Sequence, residues 1–272
     1  MLLTRAQRNR GITRDNKMRR FFVEEINGDH GLCSITGSEA KHITRVLRMG
    51  RGDRFILMDG KGARFLALIE SASPQEVRVA LKRPLPSPTP SPVKIILCQA
   101  LLKSRNMDYL IQKTSELGVD RIFPFSSKRT LIRLGEDRVA SRLRHWREIA
   151  HSAAKQSDRI APAEIALPFP FKDLISKRNM EGALKVILWE EEEAKDLKGL
   201  LRTSSTVHSF IGLIGPEGGF AHEEVKAAGD AGIISCSLGN RVLRSETAAI
   251  TMVALVQYEL GDLSLGNPRV RM

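Results

Sequence analysis

Residues 239–248 read GNRVLRSETA, and a second glycine-rich run, IGPEGGF, precedes them at residues 214–220. Each run follows a short apolar stretch typical of a β-strand, at residues 233–236 and 210–213 respectively. Loops that follow the strands of an open α/β sheet meet at its carboxyl edge, where such sheets bind their ligands. The two runs therefore predict a single ligand site formed by two neighbouring loops.

Strand-like and helix-like segments alternate before and after these loops. The predicted strands are 93–100, 119–125, 185–189, 207–214 and a last one ending at Leu238, and the predicted helices are 107–117, 136–156, 223–231 and 246–260. Such alternation predicts a mostly parallel sheet with helices on both faces.

The last predicted helix, 246–260, has almost no polar face. A helix that is apolar all round is expected to be buried on all sides. Either the rest of its own domain or a second subunit would then cover it, and we prefer a homodimer.

The N-terminal part of the chain is rich in predicted strands. Residues 54–58 and 63–69 flank the turn sequence DGKG, and residues 76–81 alternate between apolar and polar. A short helix is predicted at residues 38–47, with Ser38 as its N-cap. Together these segments predict a small β-barrel.

A proline-rich segment marks the boundary between the two parts. Residues 83–92 carry proline at every second position, which favours an extended chain rather than a further strand. Residues before Met18, an alternative start, show no periodicity and are predicted to be disordered. The predicted organisation is an extension at 1–17, a β-barrel at 18–84, a linker at 85–92 and an α/β domain at 93–272.

Composition is typical of a soluble globular protein, with 42% hydrophobic and 27% charged residues. No apolar run approaches the roughly 20 residues that span a bilayer, and no secretory signal begins the chain, so we expect a cytoplasmic location. The three cysteines, Cys33, Cys98 and Cys236, include no CxxC pair, and the histidines show no ligand spacing. No metal site is therefore expected.

The net charge of +12 predicts an anionic partner, of which nucleic acid is the preferred one. Residues 1–17 hold five basic residues and one acidic residue, so most of the excess lies in the rest of the chain. A basic surface that is merely solvated remains the alternative interpretation.

The first glycine-rich loop matches neither common phosphate-binding motif. GPEGG is not followed by the Gly-Lys-Ser/Thr of a Walker loop, and its glycines are not spaced as in the dinucleotide fingerprint. Its glycines would let backbone groups approach a flat ligand such as adenine, although a simple turn is the alternative. A phosphotransferase is disfavoured because the loop has no lysine, and a non-catalytic RNA-binding factor remains open.

The second loop places Arg241, Arg244 and Glu246 within six residues, at the start of the last predicted helix. A helix N-terminus favours a carboxylate, so this pattern is compatible with plain helix capping beside two solvated arginines. The alternative is that these charges act on a ligand held by the loops.

The two loops resemble the cofactor loops of the SPOUT methyltransferases, and in particular those of the RsmE family. The similarity also includes residues 18–22, 42–48, 111–119 and 145–159, so that it covers about residues 18–262. The resemblance implies S-adenosylmethionine as cofactor and N3 of a specific uridine in the decoding region of 16S rRNA as the methylated atom, within the small ribosomal subunit. It also implies a C-terminal SPOUT domain with a deep trefoil knot and an N-terminal PUA-like RNA-binding barrel. Methylation of another RNA position or atom is the alternative within this class.

The resemblance further implies which residues border the cofactor. One departure from the family pattern is Ala221, which stands where Ser or Thr is frequent and so loses an N-cap hydroxyl, typically about 1 kcal/mol. The implied cofactor residues are Leu188, Trp189, Glu190, Leu213, Gly215, Leu238, Gly239, Val242 and Leu243.

The implied reaction requires the uracil N3 proton to leave before the methyl group arrives. If the pKa of N3 lies about two units above the working pH, deprotonation costs about 3 kcal/mol. Arg244 is the candidate for stabilising the resulting anion, and Glu246 is the candidate for accepting the proton, with Glu217 as a competing base. No covalent intermediate and no metal is needed.

Basic side chains are expected to bind the RNA, because aromatic residues make up only 5% of the chain. Phosphate contacts of this kind predict an affinity that falls steeply with added salt. The candidates are Arg19, Arg20, Arg45, Arg48, Lys103, Arg105 and Arg159.

Overall fold

The computed structural model describes residues 18–26, 31–132, 134–176, 182–204 and 206–264. The extension predicted at residues 1–17 lies outside the described residues. The chain divides into two units, and each is described by itself below. The first comprises residues up to Pro88 together with Asp158–Ala161, and the second comprises Thr89–Ser157 and the residues from Pro162 onward.

The first unit consists mainly of β-strands. Its elements are β1 (Arg20–Phe22), β2 (Leu32–Thr36), α1 (Gly37–Lys41), a π-helical turn (His42–Val46), β3 (Arg54–Met58), β4 (Arg64–Ala72) and β5 (Glu76–Pro84).

Its five strands form one sheet in the order β1-β3-β4-β5-β2, with all pairs antiparallel except β1 and β3. The predicted hairpin is confirmed as β3 and β4, and the Asp59 carboxylate closes its turn by accepting the backbone N–H groups of Lys61 and Ala63 at 2.8 and 2.9 Å. Among the described residues, no ladder joins β1 to β2, so hydrogen bonds between strands do not close this sheet into a ring.

The short helix of the first unit differs from its prediction. Thr36, not Ser38, occupies the N-cap position, and its side chain makes no capping hydrogen bond. The α-helical turn then widens into a π-helical one at His42, which buries Ile43 completely beneath the sheet. The helix begins at Gly37, one residue before the predicted cap, and Gly37 has a φ of +70°. The sequence alone does not show this earlier start, so Ser38 is the natural candidate from sequence.

The second unit alternates strands and helices. Its elements are β6 (Lys94–Ala100), α2 (Ser104–Glu116), β7 (Arg121–Ser126), α3 (Glu136–Gln156), β8 (Glu164–Ile165), β9 (Phe169–Pro170), α4 (Phe171–Ser176), β10 (Leu184–Leu188), α5 (Leu197–Thr203), β11 (Ser209–Ile214), α6 (His222–Asp230), β12 (Ile234–Cys236) and α7 (Ser245–Glu259).

The strands of the second unit form a parallel sheet in the order β12-β10-β11-β6-β7-β8, with β9 also paired to β7. The predicted parallel sheet is therefore confirmed. Because the strands run in the same direction, the loops after β10, β11 and β12 emerge at one edge. Gly118, with a φ of +96°, ends α2 in the left-handed conformation that the sequence predicts.

Helices cover both faces of this sheet, as predicted. On one face, Met107 and Ile111 of α2, Trp146 of α3 and Val253 of α7 share a core with the sheet. On the other face, a second core contains α4 and α6 through residues such as Leu174.

The last helix, α7, is buried on one side only. Ala249, Met252 and Val253 are fully buried, and each buried Met or Val side chain contributes about 1.5–3 kcal/mol. Leu255 and Tyr258 are 38% and 58% exposed, so the expectation of burial on all sides is wrong for the single chain. No helix in the described part of the chain has the length and hydropathy needed to cross a membrane.

Candidate active site

The carboxyl edge of the parallel sheet opens into a cavity of about 630 Å³ that lies within the second unit. Its walls are formed by the loops that follow β10, β11 and β12 and by the start of α7. Lys103, in the loop after β6, and Asn106, in the first turn of α2, complete them. Eight of the residues expected at the cofactor line it: Leu188, Trp189, Glu190, Gly215, Leu238, Gly239, Val242 and Leu243. The two glycine-rich runs therefore meet at one site.

Leu213, the remaining expected residue, does not line the cavity. Its side chain is 1% exposed and belongs to the core on the opposite face, where Phe220 and Ile187 also lie. Its neighbour Ile214 lines the cavity instead. Successive side chains of a strand point to opposite faces of a sheet, so only one of the two can reach the site.

The three proposed catalytic side chains all line the cavity. Arg244 is exposed and occupies the N-cap position of α7. Glu246, in the first turn of that helix, is only 8% exposed, and its buried Oε2 has no hydrogen-bond partner. Glu217 is exposed, and its Oε1 accepts the backbone N–H of Lys103 at 3.4 Å.

A buried serine joins the two loops, and sequence reasoning did not identify it. Ser245 donates its hydroxyl to the carbonyl oxygen of Gly215 and accepts the side-chain amide of Gln99 at 3.0 Å. Gln99 is the one polar residue within the buried part of strand β6, and its complete burial requires a polar partner. A lone glutamine within such a strand is the signal that could have revealed this contact.

Glycine is required at the tip of the first loop. Gly219 has a φ of +69°, and a Cβ atom there would lie 2.1 Å from Oε1 of Glu190. Any side chain would be strained by the left-handed backbone and would displace this carboxylate from the cavity wall. The double glycine of this loop therefore does more than form a turn, because it lets two loops of the cavity approach each other closely.

The loop between β7 and α3 supports the glycine loop from outside. Arg129 donates its guanidinium to the carbonyl oxygen of Gly218 at 3.1 Å, and the backbone N–H of Lys128 donates to Glu224 at 2.9 Å. The ammonium of Lys128 also pairs with Glu223 and, through that hydrogen bond, lowers the pKa of the Glu223 carboxyl. Sequence reasoning missed these contacts because they join segments far apart along the chain.

Two titratable groups beside the cavity have shifted pKa values. Hydrogen bonds from the Ser235 hydroxyl and from the backbone N–H of Ala194 lower the pKa of Glu192, which therefore remains a carboxylate. Burial, aided by the negative charges of Glu192 and Asp196, raises the pKa of Cys236 to about 12. Cys236 is thus a neutral thiol near pH 7 and no nucleophile.

The basic residues expected to bind RNA fall into different environments. Arg20 is 9% exposed on its side chain, and its Nε lies 2.6 Å from Oδ1 of Asp158, which Arg64 shares. Arg20 therefore lies inside an ion-pair cluster of the first unit. Arg159 is half-buried, whereas the exposed candidates are Arg19, Arg45, Arg48, Lys103 and Arg105.

Two family models match the chain. The one described as an RNA methyltransferase domain matches residues 89–257, and the one described as an RNA methyltransferase PUA domain matches residues 35–82. Together they span both structural units.

Curated relatives of the chain carry the name Ribosomal RNA small subunit methyltransferase E. The protein from Mesomycoplasma hyopneumoniae is 31% identical over 236 residues, which cover 87% of this chain and 97% of that protein. The protein from Bacillus subtilis is 27% identical over 250 residues, which cover 89% of this chain and 97% of that protein.

Solved structures of similar proteins contain the cofactor. A putative methyltransferase from Legionella pneumophila in complex with SAM matches with a TM-score of 0.84 at 30% identity, covering 91% of this chain and 100% of that one. A ribosomal RNA small subunit methyltransferase E from Neisseria gonorrhoeae bound to S-adenosyl methionine matches with a TM-score of 0.83 at 28% identity and the same coverage. These likenesses confirm the expected fold class, a SPOUT-type trefoil-knotted α/β domain preceded by a small PUA-like β-domain.

Proposed function

The chain belongs to the RNA methyltransferase family that includes the small-subunit rRNA methyltransferases E, and on that premise we propose that it methylates N3 of one uridine in 16S rRNA with S-adenosylmethionine as donor. The observation that carries the proposal is the cavity of about 630 Å³ at the carboxyl edge of the sheet, lined by both glycine-rich loops. Its lining residues all come from the segment that the methyltransferase model matches.

The residues of the cavity fit this cofactor. The volume lies within the range of small-molecule sites, and the wall offers apolar side chains such as Leu188 and Leu243 beside backbone groups of the glycine loops. Two buried polar atoms of the wall have no partner among the residues that the structure describes: the donor Nε1 of Trp189 and the acceptor Oε2 of Glu246. Buried polar atoms are normally paired, so such orphans mark where a polar ligand completes the site.

The bound cofactor would supply an electrophilic methyl group, and the protein must hold N3 of the substrate uracil as an anionic nucleophile in line with it. Arg244 is an exposed residue of the cavity wall and carries a permanent positive charge. Placed beside the uracil carbonyl oxygens, it would stabilise the anion formed when N3 loses its proton, and it would do so without reorganisation. This is the role we assign to it.

Glu246 is the better placed of the two candidate bases. One of its oxygens is buried and unpaired within the cavity wall, so it can accept a proton without breaking an existing contact. Glu217 is exposed to solvent and already accepts the backbone N–H of Lys103. We therefore assign proton acceptance to Glu246 and a structural role to Glu217, that of fastening the loop after β6.

The exposed arginines of the first unit, Arg19, Arg45 and Arg48, are proposed to contact RNA phosphates, as are Lys103 and Arg105 of the second unit. Phosphate neutralisation releases counterions, so RNA affinity should fall steeply between 50 and 200 mM salt, by roughly a factor of ten or more for each two to three contacts. Replacing Arg45 and Arg48 by alanine should flatten that slope, whereas replacing the buried Arg64 should not.

A second copy of the chain is proposed to cover the exposed side of α7. Leu255 and Tyr258 form an apolar stripe there, on a helix whose other side is buried. Closed two-fold pairing of identical surfaces is the commonest way to bury such a stripe. The proposed rRNA substrate places the dimer in the cytoplasm, with the small ribosomal subunit as partner.

The experiment that tests the proposed function compares 16S rRNA from a strain lacking the gene with that from the same strain carrying it. Mass spectrometry of nuclease digests should show one methyluridine that disappears with the gene and returns with it. Restoring the Arg244→Ala variant should fail to return it. A methyl group on another base or on a ribose would contradict the proposed atom, and an unchanged digest would contradict the activity.

A methyl-transfer assay in vitro shows whether free 16S rRNA or the assembled subunit is the substrate. Purified protein is incubated with naked 16S rRNA and with small subunits from the deletion strain, and methyl transfer from labelled donor is followed. We expect the assembled subunit to be the better substrate. Isothermal titration with S-adenosylmethionine alone separates the enzyme from a non-catalytic RNA-binding factor, because only the enzyme requires donor binding.

A further inference from the structure

The cavity is acidic although the chain as a whole has a net charge of +12. Among the described residues that line it, five are acidic and three are basic. The acidic ones are Glu190, Glu192, Glu193, Glu217 and Glu246, and the basic ones are Lys103, Arg241 and Arg244. The sign of the charge inside the cavity is therefore opposite to that of the protein that surrounds it.

Three of the carboxylates come from the loop that follows β10, and hydrogen bonds hold one of them, Glu192, in place. Glu190 lies against Gly219 so closely that no side chain fits between them. Glu192 accepts the hydroxyl of Ser235 and the backbone N–H of Ala194. Within the described ranges, no lysine or arginine forms an ion pair with any of these three carboxylates, although the positive charge of Lys195 helps to lower the pKa of Glu192.

Independent observations point to a cationic ligand in the same cavity. Glu246 is 8% exposed, and its Oε2 is buried without a partner, an arrangement that costs free energy until a donor or cation arrives. The negative potential extends behind the wall, where the charge of Glu192 helps to raise the pKa of Cys236. The first observation concerns a group other than the three carboxylates of the loop after β10, whereas the second shows the field of one of them.

We propose that the carboxylates of this cavity select its ligand by charge, favouring the cationic methyl donor over the neutral product that remains after transfer. This inference rests on the proposed function. The donor carries a positively charged sulfonium. When N3 of the nucleobase anion bonds to the methyl group, the electrons of the broken carbon–sulfur bond stay on the sulfur. The sulfur of the product is therefore an uncharged thioether. The attraction that holds the donor disappears in the step that uses it, and product release is favoured.

The size of the effect follows from the Coulomb energy of two charges at short range. At partly exposed positions, removing one negative charge several ångströms from a cation changes affinity by roughly fivefold. Removing two should therefore lower donor affinity by roughly ten- to twentyfold after allowance for screening by salt. The affinity for an uncharged product of nearly the same shape should hardly change.

The test is isothermal titration of the full chain with three ligands: S-adenosylmethionine, its cationic amine analogue sinefungin, and neutral S-adenosylhomocysteine. The variant is the double substitution Glu190→Gln and Glu193→Gln, which removes both charges but keeps the shape of the side chains. We expect roughly tenfold weaker binding of both cationic ligands and binding of the neutral one within twofold of wild type. Retained binding of the neutral ligand also shows that the variant is folded.

Glu191→Gln is the matched control. Glu191 belongs to the same loop, but it lies 3.3 Å from His222 and does not line the cavity, so its variant should keep the wild-type ratio. Equal losses for all three ligands, no loss for any, or the same shift in Glu191→Gln would each overturn charge selection. If the wild-type protein binds none of the ligands, the proposed function fails as well. If the wild-type protein binds them but shows no charge selection, only the present inference fails.

Discussion

The hydroxyl of Ser245 lies 2.5 Å from the carbonyl oxygen of Gly215, so the first residue of α7 is hydrogen-bonded to the loop that follows β11. Gln99 completes the contact from β6 by donating to the same hydroxyl at 3.0 Å. All three residues are buried. Both glycine-rich runs are thus held to each other and to the centre of the sheet before any ligand binds.

Ser245→Ala should weaken cofactor binding without unfolding the protein. A buried hydrogen bond contributes about 0.5–1.5 kcal/mol, and the substitution removes the hydroxyl from the Gly215 carbonyl and leaves the Gln99 amide with only its bond to the carbonyl of Ala100. We expect the dissociation constant for S-adenosylmethionine to rise by roughly three- to tenfold, measured by isothermal titration. The matched control is Ser141→Ala, because Ser141 is exposed and bonds only to its own helix. Equal affinities in the two variants would contradict the positioning role of Ser245.

The location of the site could be predicted from sequence because its signals are local. Glycine-rich runs after apolar strands predict loops at a carboxyl edge, and the structure brings both runs to one cavity. Which side chains face the ligand could not be predicted as well. Leu213 and Ile214 are both apolar, and only the register of β11 decides that the second one lines the cavity.

Contacts between distant segments were beyond sequence reasoning for a different reason. Arg20 resembles any surface arginine in the sequence, and its burial depends on Asp158, which adopts a left-handed backbone with a φ of +57° just after α3. The exposed stripe of α7 has the same origin, because an apolar pattern does not tell which neighbour covers it. Pairing between distant segments has no local signature.

Gly212→Ala should destabilise the second unit. A Cβ atom at this position of β11 would lie 2.2 Å from Sδ and 2.4 Å from Cε of Met252, which is fully buried in α7. Overpacking of this kind costs about 1–3 kcal/mol, and the free energy of unfolding from urea titration should fall by that amount.

Gly229→Ala is the control for that substitution and should have the opposite sign. No atom lies within 4 Å of a Cβ built at Gly229, which is a residue of helix α6. Alanine is the better helix former by up to about 1 kcal/mol, so the variant should be slightly more stable than wild type. If both glycine variants lost stability alike, the contact with Met252 would not be the cause.

Ala221→Ser should stabilise α6. Ala221 is the N-cap residue, with an extended backbone and no side-chain acceptor, and Glu224 already accepts its N–H at 3.0 Å. A serine hydroxyl would add the second half of a capping box and contribute about 1 kcal/mol, or roughly 2 °C in the melting temperature. Ala221→Val, which adds volume without a hydroxyl, should give no gain. A gain in both variants would indicate packing and not capping.

Arg244→Ala should slow methyl transfer far more than it weakens cofactor binding. The arginine is proposed to act only on the negative charge that develops on the uracil, and loss of such a stabilising group costs about a hundredfold in kcat. Single-turnover transfer to small subunits gives the rate, and titration gives the dissociation constant of the donor, which should stay within threefold of the wild-type value.

Arg241→Ala is the matched control and should keep most of the rate, because Arg241 lies on the same loop and is also exposed. A parallel loss of rate and donor affinity in Arg244→Ala would mean that the side chain serves ground-state binding, since an interaction made only in the transition state leaves the donor complex unchanged.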